Sequence, residues 1–379
     1  MRKPITIGDL GTIITGKTPP TTNKNYYGDY AVFIKPTDIS EQCKFTYKTE
    51  EMYSKLAAEK YESSLIPKGA ICVPCIGTIG TKMTMAPCDC YTNQSINSIV
   101  CNDRYDNEYV YYLIKNFLPG LKSYNLGTAS GREYVSKSNF EKIELVAEQD
   151  KTIQKKIGEF LSRYDSLIEN YQKQIKLLEE AAQRLNKEWF VDLHFPGHEN
   201  TKIVDGVPEG WEKTNVNNIL TFHRGYDLTH KEFVDGPYPV VGSTSIIGNH
   251  NKYKVEGPGV VTGRSGSLGV YQLIWDNFWP HNTSLYISDF KGHNVFYIYC
   301  LLKTVDFKTL NSGGAIPSLN RNTLSSIHVM EPSISLQDKF SEKVMPMFKR
   351  QRHLLSQVRL LTEARDRLLP KLMSGEIEI

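Results

Sequence analysis

The sequence predicts an α+β chain built as a tandem repeat with pseudo-two-fold character. Two similar globular domains are separated and joined by two long helices that form an antiparallel coiled coil. Three observations carry this. First, landmarks recur at nearly constant offset: "GTIG" at Gly77–Gly80 and "GSLG" at Gly266–Gly269 lie 189 apart, as do Asn93 and Asn282. "GTA" at Gly127–Ala129 answers "GGA" at Gly313–Ala315 at 186, and Gln149-Asp150 answers Gln337-Asp338 at 188. Second, two stretches show the three- and four-residue apolar steps of a coiled-coil seam. Third, each remaining module mixes short β-rich runs ("AICVPCIG", "PGVVTG", "GVYQLIW") with one helical run, "EYVYYLIKNFL" or "NVFYIYCLLKTV". The order is a first domain at 1–148, a helical spacer at 149–195, a second domain at 196–335 and a second helical spacer at 336–379. A period this long excludes a short-repeat solenoid.

The first domain opens on a trap. "GTIITGKT" fits the nucleotide-binding pattern G-x-x-x-x-G-K-[ST] through Gly11, Gly16, Lys17 and Thr18. A phosphate loop must open a helix whose N-terminal amides hold the phosphates. Here "PPTTNKNYYGDY" follows, and its prolines, asparagines and glycine cannot propagate one. The β-branched "TIIT" suits a strand, so the stretch reads as strand then turn. Cys72, Cys75, Cys88 and Cys90 have a spacing that suggests zinc. Residues three apart on a strand point to opposite faces, and the second module carries Val261 and Arg264 there, so these read as reduced, partly buried thiols.

In the first spacer the seam runs through Ile153, Ile157, Phe160, Tyr164, Leu167, Tyr171, Ile175, Leu178, Ala182, Leu185 and Trp189, with one stutter near Tyr171. At 1.5 Å per residue this helix is on the order of 55–60 Å long, wider than a small domain. His194 and His198 follow, but Pro196 and Gly197 between them break the helix that would align two metal-binding imidazoles. In the second domain "GRSGSLG" lacks a Gly-Lys-Thr and leads into a strand, so it is no phosphate loop. The second spacer repeats the seam through Phe340, Val344, Met347, Leu354, Val358, Leu361, Leu368 and Leu372, with Gln351 and Arg365 in the two remaining slots.

Composition narrows little further. Of 379 residues, 40% are hydrophobic and 23% charged, with a formal net charge of +3. Residues 1–148 carry 17 basic and 16 acidic side chains, and 196–335 carry 11 and 12. Neither domain has the basic excess that announces a nucleic-acid binder, so charge selects no partner class. The opening "MRKPITIGDL" has no signal-peptide core and no run reaches membrane-spanning length, so cytoplasm is the expectation. No reaction centre stands out.

At this point the residues resemble a known family. The turn Gly16, Lys17, Thr18, Pro19, followed by Gly28, Asp29, Pro36, Asp38 and Ile39, resembles the opening of target-recognition domains in specificity subunits of type I restriction–modification systems. "YPVVGSTSIIGNHNKY", "GPGVVTGRSGSLGVY" and "FWPHNTSLYI" resemble segments of that family's second domain; "EWFVDLHFPG" and "RDRLLPKLMSGEI" resemble its helical regions. The likeness spans nearly the whole chain in the right order. It departs at "GTASGREYV", where such proteins often carry a Gln/Pro-containing turn, and at Cys75, the counterpart of Arg264.

The resemblance implies a non-catalytic DNA-recognition subunit. Each domain would read half of a bipartite double-stranded site, and the helices would hold the halves apart and bind two modification (methyltransferase) subunits. The chain itself would need no cofactor. The methyltransferase partners would use S-adenosylmethionine, and a restriction subunit would bring ATP and Mg. Candidate DNA contacts are Lys17, Thr18 and Arg132 in the first domain, and Arg264, Ser265, Asn282 and Arg321 in the second. Two other classes compete: a P-loop nucleotide hydrolase built on Gly16-Lys17-Thr18, and a coiled-coil scaffold with no DNA role.

Overall fold

The computed structural model describes residues 2–127, 131–264, 269–305 and 327–379. Contacts divide it into two units, Met1–Lys173 with Leu355–Ile379, and Gln174–Leu354. Each long helix, Lys151–Phe190 and Ile334–Ser374, contributes to both.

The same topology is built twice. In the first unit the strand Arg2–Thr6 pairs antiparallel with Glu144–Glu148. A four-stranded sheet follows in the order Gly11–Thr15, Ile96–Cys101, Ile71–Pro74, Thr84–Met85. A smaller sheet sets Tyr27–Ile34 parallel to Tyr91–Thr92, with Phe33 opposite Tyr91. In the second unit Glu212–Asn215 pairs with His328–Glu331. The sheet order is Thr221–Arg224, Ser284–Asp289, Gly259–Gly263, Tyr271–Ile274. Tyr238–Val241 runs parallel to Trp279–Pro280, with Val240 opposite Trp279. The module helices Asn107–Phe117 and Val295–Thr304 begin at Asp106 and Asn294, whose side chains accept backbone N–H bonds and so cap them.

Each module buries its helix against the long helices. The first core joins Ile71, Val73, Ile99, Tyr109 and Tyr112 to Ile157 and Leu161 of the first long helix and to Leu369, Leu372 and Met373 of the second. The second core joins Val260, Ile287, Tyr297 and Ile298 to Ala182, Trp189 and Phe190 of the first and Phe340, Val344 and Phe348 of the second. The pairing is antiparallel within each unit. In the first, Arg365 holds Asp165 and Lys156 reaches the carbonyl of Ile379. In the second, Gln351 donates to the carbonyl of Ile175 (2.9 Å), and the Phe340 ring meets that of Trp189. The second helix runs unbroken through Pro346.

Two details correct the seam read from sequence. Leu167 is 43% exposed, and the helix instead buries Leu161, Asp165 and Ile168. The inner position is charged: Asp165 takes the Arg365 guanidinium and the Tyr112 hydroxyl, a partner set that apolar periodicity cannot reveal. The Gln149/Gln337 match is also coincidental. Gln154 is the true counterpart of Gln337, at an offset of 183. Gln154 is buried, donates to the carbonyl of Glu148 (2.8 Å) and accepts the Asp106 amide (2.9 Å). Gln337 is likewise buried, donates to the carbonyl of Pro332 (2.9 Å) and accepts the Asn294 amide (3.4 Å). The same offset aligns Ile157 with Phe340, Leu161 with Val344 and Trp189 with Leu372, all buried. It sets Asp165 and Arg365 of the first unit against Phe348 and Ala182 of the second.

Candidate nucleic-acid interface

The site begins with the stretch that imitates a phosphate loop. Gly11–Thr15 is a strand, and the amides beyond it are consumed by backbone: Gly16 donates to Ile96 (3.2 Å) and Lys17 to Thr92 (2.9 Å). The next helical segment is only the three-residue turn Lys24–Tyr26. No amide cradle remains for a nucleotide phosphate. Gly16 is required for another reason. A Cβ there would lie 2.1 Å from the Thr92 carbonyl oxygen, so only glycine lets the turn rest on the neighbouring strand. The buried Tyr53 hydroxyl donates to the Lys17 carbonyl (2.6 Å) and fixes the turn from below.

Backbone bonds carry this turn across the end of the sheet. The Thr18 hydroxyl bonds the Gln94 side chain, and Asn93 accepts the Ser95 amide (3.1 Å). The Cys75 amide donates to Ser95 (2.7 Å), and the Cys75 carbonyl accepts from Val135 (2.8 Å). Ile76–Gly77 then pairs with Glu133–Tyr134. Lys17, Thr18 and the exposed Arg132, which immediately precedes that strand, therefore share one end of the sheet.

The second unit repeats the construction with different side chains. A Cβ on Gly225 would lie 2.1 Å from the His281 carbonyl oxygen. Gly225 donates to Ser284 (3.0 Å) and Tyr226 to Pro280 (2.8 Å). Asn282 donates to Asp227, and Arg224 stands 3.8 Å from the same carboxylate. The Arg264 amide donates to Thr283 (3.1 Å), whose carbonyl also accepts the Ser243 hydroxyl (2.9 Å). Arg264 and Asn282 are thus brought together at the equivalent end of the equivalent sheet. Ser265 and Arg321 lie outside the described residues, as do Ala129 and Gly313–Ala315 of the repeated "GTA" landmark and most of "GSLG". Gly269 is described, and it shares a left-handed backbone with Gly80, its counterpart.

Sequence reasoning missed Gly225, Asp227, Arg224 and Gln94. Gly16 precedes Asn93 by 77 residues, whereas Gly225 precedes Asn282 by 57. The longer first-module connection breaks the constant offset. The pairing of a β-branched or aromatic run with a following Arg-Gly-Tyr turn was the available signal.

The arrangement offers hydrogen-bonding side chains on short loops, the chemistry of base-edge and phosphate recognition. Burial pushes the Cys72 and Cys75 thiols up to about 12, so neither is a thiolate at neutral pH. His194 and His198 have ring centres 5.3 Å apart, and His198 Nδ1 faces the Phe195 carbonyl (2.9 Å). Among the described residues no three His, Cys, Asp or Glu side chains gather as a metal site.

Two repeated αβ units each end their sheet in a glycine turn surrounded by polar side chains. The family model for the type I restriction modification DNA specificity domain matches residues 3–180 and 208–356. The chain belongs to that family, with one copy of the domain in each repeat, and is a non-catalytic DNA-specificity protein. It is 26% identical to the type I restriction enzyme MjaIX specificity subunit of Methanocaldococcus jannaschii, over 98% of this chain and 93% of that one. A 158-residue segment is 38% identical to the HindI specificity subunit of Haemophilus influenzae, over 40% of this chain and 33% of that one. In fold it is similar to the crystal structure of the S subunit of a type I restriction-modification system from M. genitalium. The TM-score is 0.64 at 19% identity, covering 98% and 96% of the two chains. No helix among the described residues is long and apolar enough to cross a membrane.

Proposed function

We propose that each unit reads one half of a bipartite site in double-stranded DNA, and that the paired long helices set the distance between halves. The single observation that carries this reading is the glycine turn built twice at the same end of the same sheet, with different side chains around it. An identical frame with different chemistry suits two related but unlike half-sites. In the first unit Lys17, Thr18 with Gln94, and Arg132 face the DNA. In the second, Arg224, Asp227, Arg264 and Asn282 do so, together with Ser265 and Arg321 from the sequence. Amides, guanidinia and carboxylates of this kind pair with base edges in the major groove.

The chain then acts by holding others. Two modification subunits bound along the helices supply S-adenosylmethionine-dependent adenine methylation, and a restriction subunit joining them supplies ATP- and Mg-dependent cleavage, all in the cytoplasm. The chain's own residues bind and orient DNA. The test is methylation mapping of a genome that expresses this chain with its modification subunit, for wild type and Asn282→Ala. The expected result is a bipartite motif in wild type and relaxed specificity in one half only in the variant. A nucleotide-binding or purely scaffolding chain would yield no motif that depends on Asn282.

A further inference from the structure

Most lysines of the described structure that lie over aromatic rings are already neutralised or buried. Lys44 lies over Phe45, Tyr111 and Tyr112 but is paired with Glu108. Lys303 lies over Tyr299 but is paired with Glu179. Lys115 lies over Tyr111 in a half-buried position whose desolvation lowers its pKa.

Two lysines differ, one in each unit. Lys60, at the end of the short helix Lys55–Lys60, is exposed and sits 4.7 Å from the Tyr26 ring centre and 5.7 Å from that of Tyr61. The Tyr26 hydroxyl, 2.6 Å away, raises the ammonium's pKa. Lys254, in the loop before Gly259–Gly263, is exposed and sits 5.4 Å from the Tyr226 ring centre and 5.0 Å from that of Trp279. Among the described residues no carboxylate lies within ion-pair distance of either.

Both platforms adjoin the glycine turns. In the first unit the Tyr61 ring stacks toward Tyr53 (6.0 Å), whose hydroxyl holds the Lys17 carbonyl, and Lys17 Nζ itself reaches Ser63 (3.2 Å). In the second, Tyr226 is the residue after Gly225, and the Trp279 indole N–H donates to the Tyr226 carbonyl (3.4 Å). The two lysines come from unlike local structures and unlike sequence positions, yet each is an exposed ammonium beside two aromatic rings next to its glycine turn.

We infer that Lys60 and Lys254 are phosphate anchors, one per half-site, that bind the DNA backbone beside the base-reading turns. A lysine ammonium is a compact charge suited to a phosphate oxygen rather than to bidentate base reading. The Tyr26 hydroxyl bond and the Tyr61 ring hold Lys60, and the Tyr226 and Trp279 rings hold Lys254 by cation–π attraction, leaving each charge uncompensated. Near-neutral modules need such placed charges, because their net charge offers no general attraction.

This rests on the DNA-reading proposal above, and its test separates the two. Binding of the chain–methyltransferase complex to its mapped site is measured across salt for wild type, Lys60→Gln, Lys254→Gln and the Lys→Arg variants. Each lost phosphate contact lowers the slope of log K against log [salt] by about 0.9. From 50 to 200 mM salt, each Gln variant should therefore lose about 3.5-fold less affinity than wild type does. Its methylated motif should be unchanged, and the Arg variants should restore the slope. A wild-type slope with Gln variants that match it overturns the anchor assignment alone, as does a Gln variant that changes the motif. A wild-type complex without salt-dependent binding to its site overturns the DNA-reading proposal as well.

Discussion

The buried pair Asp165–Arg365 supplies a sharp energetic test, because the repeat contains its own control. Both side chains are almost fully buried between the helices in the first unit, and Asp165 also accepts the Tyr112 hydroxyl. Asp165→Ala leaves Arg365 with only the exposed Asp366 and leaves the Tyr112 hydroxyl without this acceptor. Arg365→Ala leaves a buried carboxylate bonded to Tyr112 alone. Removing one partner of a buried pair costs about 3–5 kcal/mol. For a unit of this size, each kcal/mol moves Tm by about 2–4 °C, so each single variant should melt roughly 6–20 °C lower in the transition that reports the first unit. The second unit places Phe348 and Ala182 at the corresponding positions, both buried. The double variant Asp165→Phe/Arg365→Ala installs that layer in the first unit. It removes two desolvated charges at nearly constant volume but leaves the buried Tyr112 hydroxyl without its acceptor, at about 1–3 kcal/mol, so it should recover most of the loss and melt near wild type. Thermal and urea unfolding followed by circular dichroism measure all four proteins. Single variants within 1 kcal/mol of wild type, or a double variant no better than the worse single, would refute both the burial argument and the offset of 183.

Three further outcomes are expected. Gly16→Ala and Gly225→Ala each force a Cβ to 2.1 Å from a carbonyl oxygen, so each should abolish recognition of its own half-site while thermal unfolding of the other unit is unchanged. Asp9 accepts the Thr6 amide and hydroxyl, which hold its carboxyl below the ordinary aspartate range. A depressed pKa contributes stability above the unfolded value near 3.9 and loses it as pH falls through the folded value. Asp9→Asn should therefore be slightly less stable than wild type at pH 7, with the gap closing as pH falls below about 4 in urea titrations. Inserting four residues after Leu167 lengthens the helix by about 6 Å. That should increase the preferred gap between half-sites by up to about two base pairs, read by methylation of a spacer library; an unchanged optimum in a folded variant removes the ruler.

How much of this was legible in the sequence depends on the range of the interaction concerned. The duplication showed through Asn93 and Asn282 because both lie in the tight connection into the sheet's second strand, where an insertion would break the same backbone bonds twice. The long helices were legible because their period is local. Their inner line departs from the apolar seam at Leu167 because Asp165 is an inner residue only by virtue of Arg365, two hundred positions away. Gln149 matches Gln337 only in spelling; the buried role belongs to Gln154, whose partners include a strand end and a helix cap. The false phosphate loop is excluded by helix propensity and by the β-branched "TIIT" run, but the need for Gly16 is visible only with the Thr92 carbonyl against it. Gly225 was missed because the first module's longer connection shifts the repeat.

The most direct measurement of the central claim exchanges residues 196–335 for the matching module of a relative with a different site, and maps the methylated motif of the hybrid with its modification subunit. Two independent readers predict an unchanged first half, the donor's second half and an unchanged gap between them. A hybrid that folds and methylates but alters both halves would contradict the account, because it would mean that the repeats read DNA as one surface.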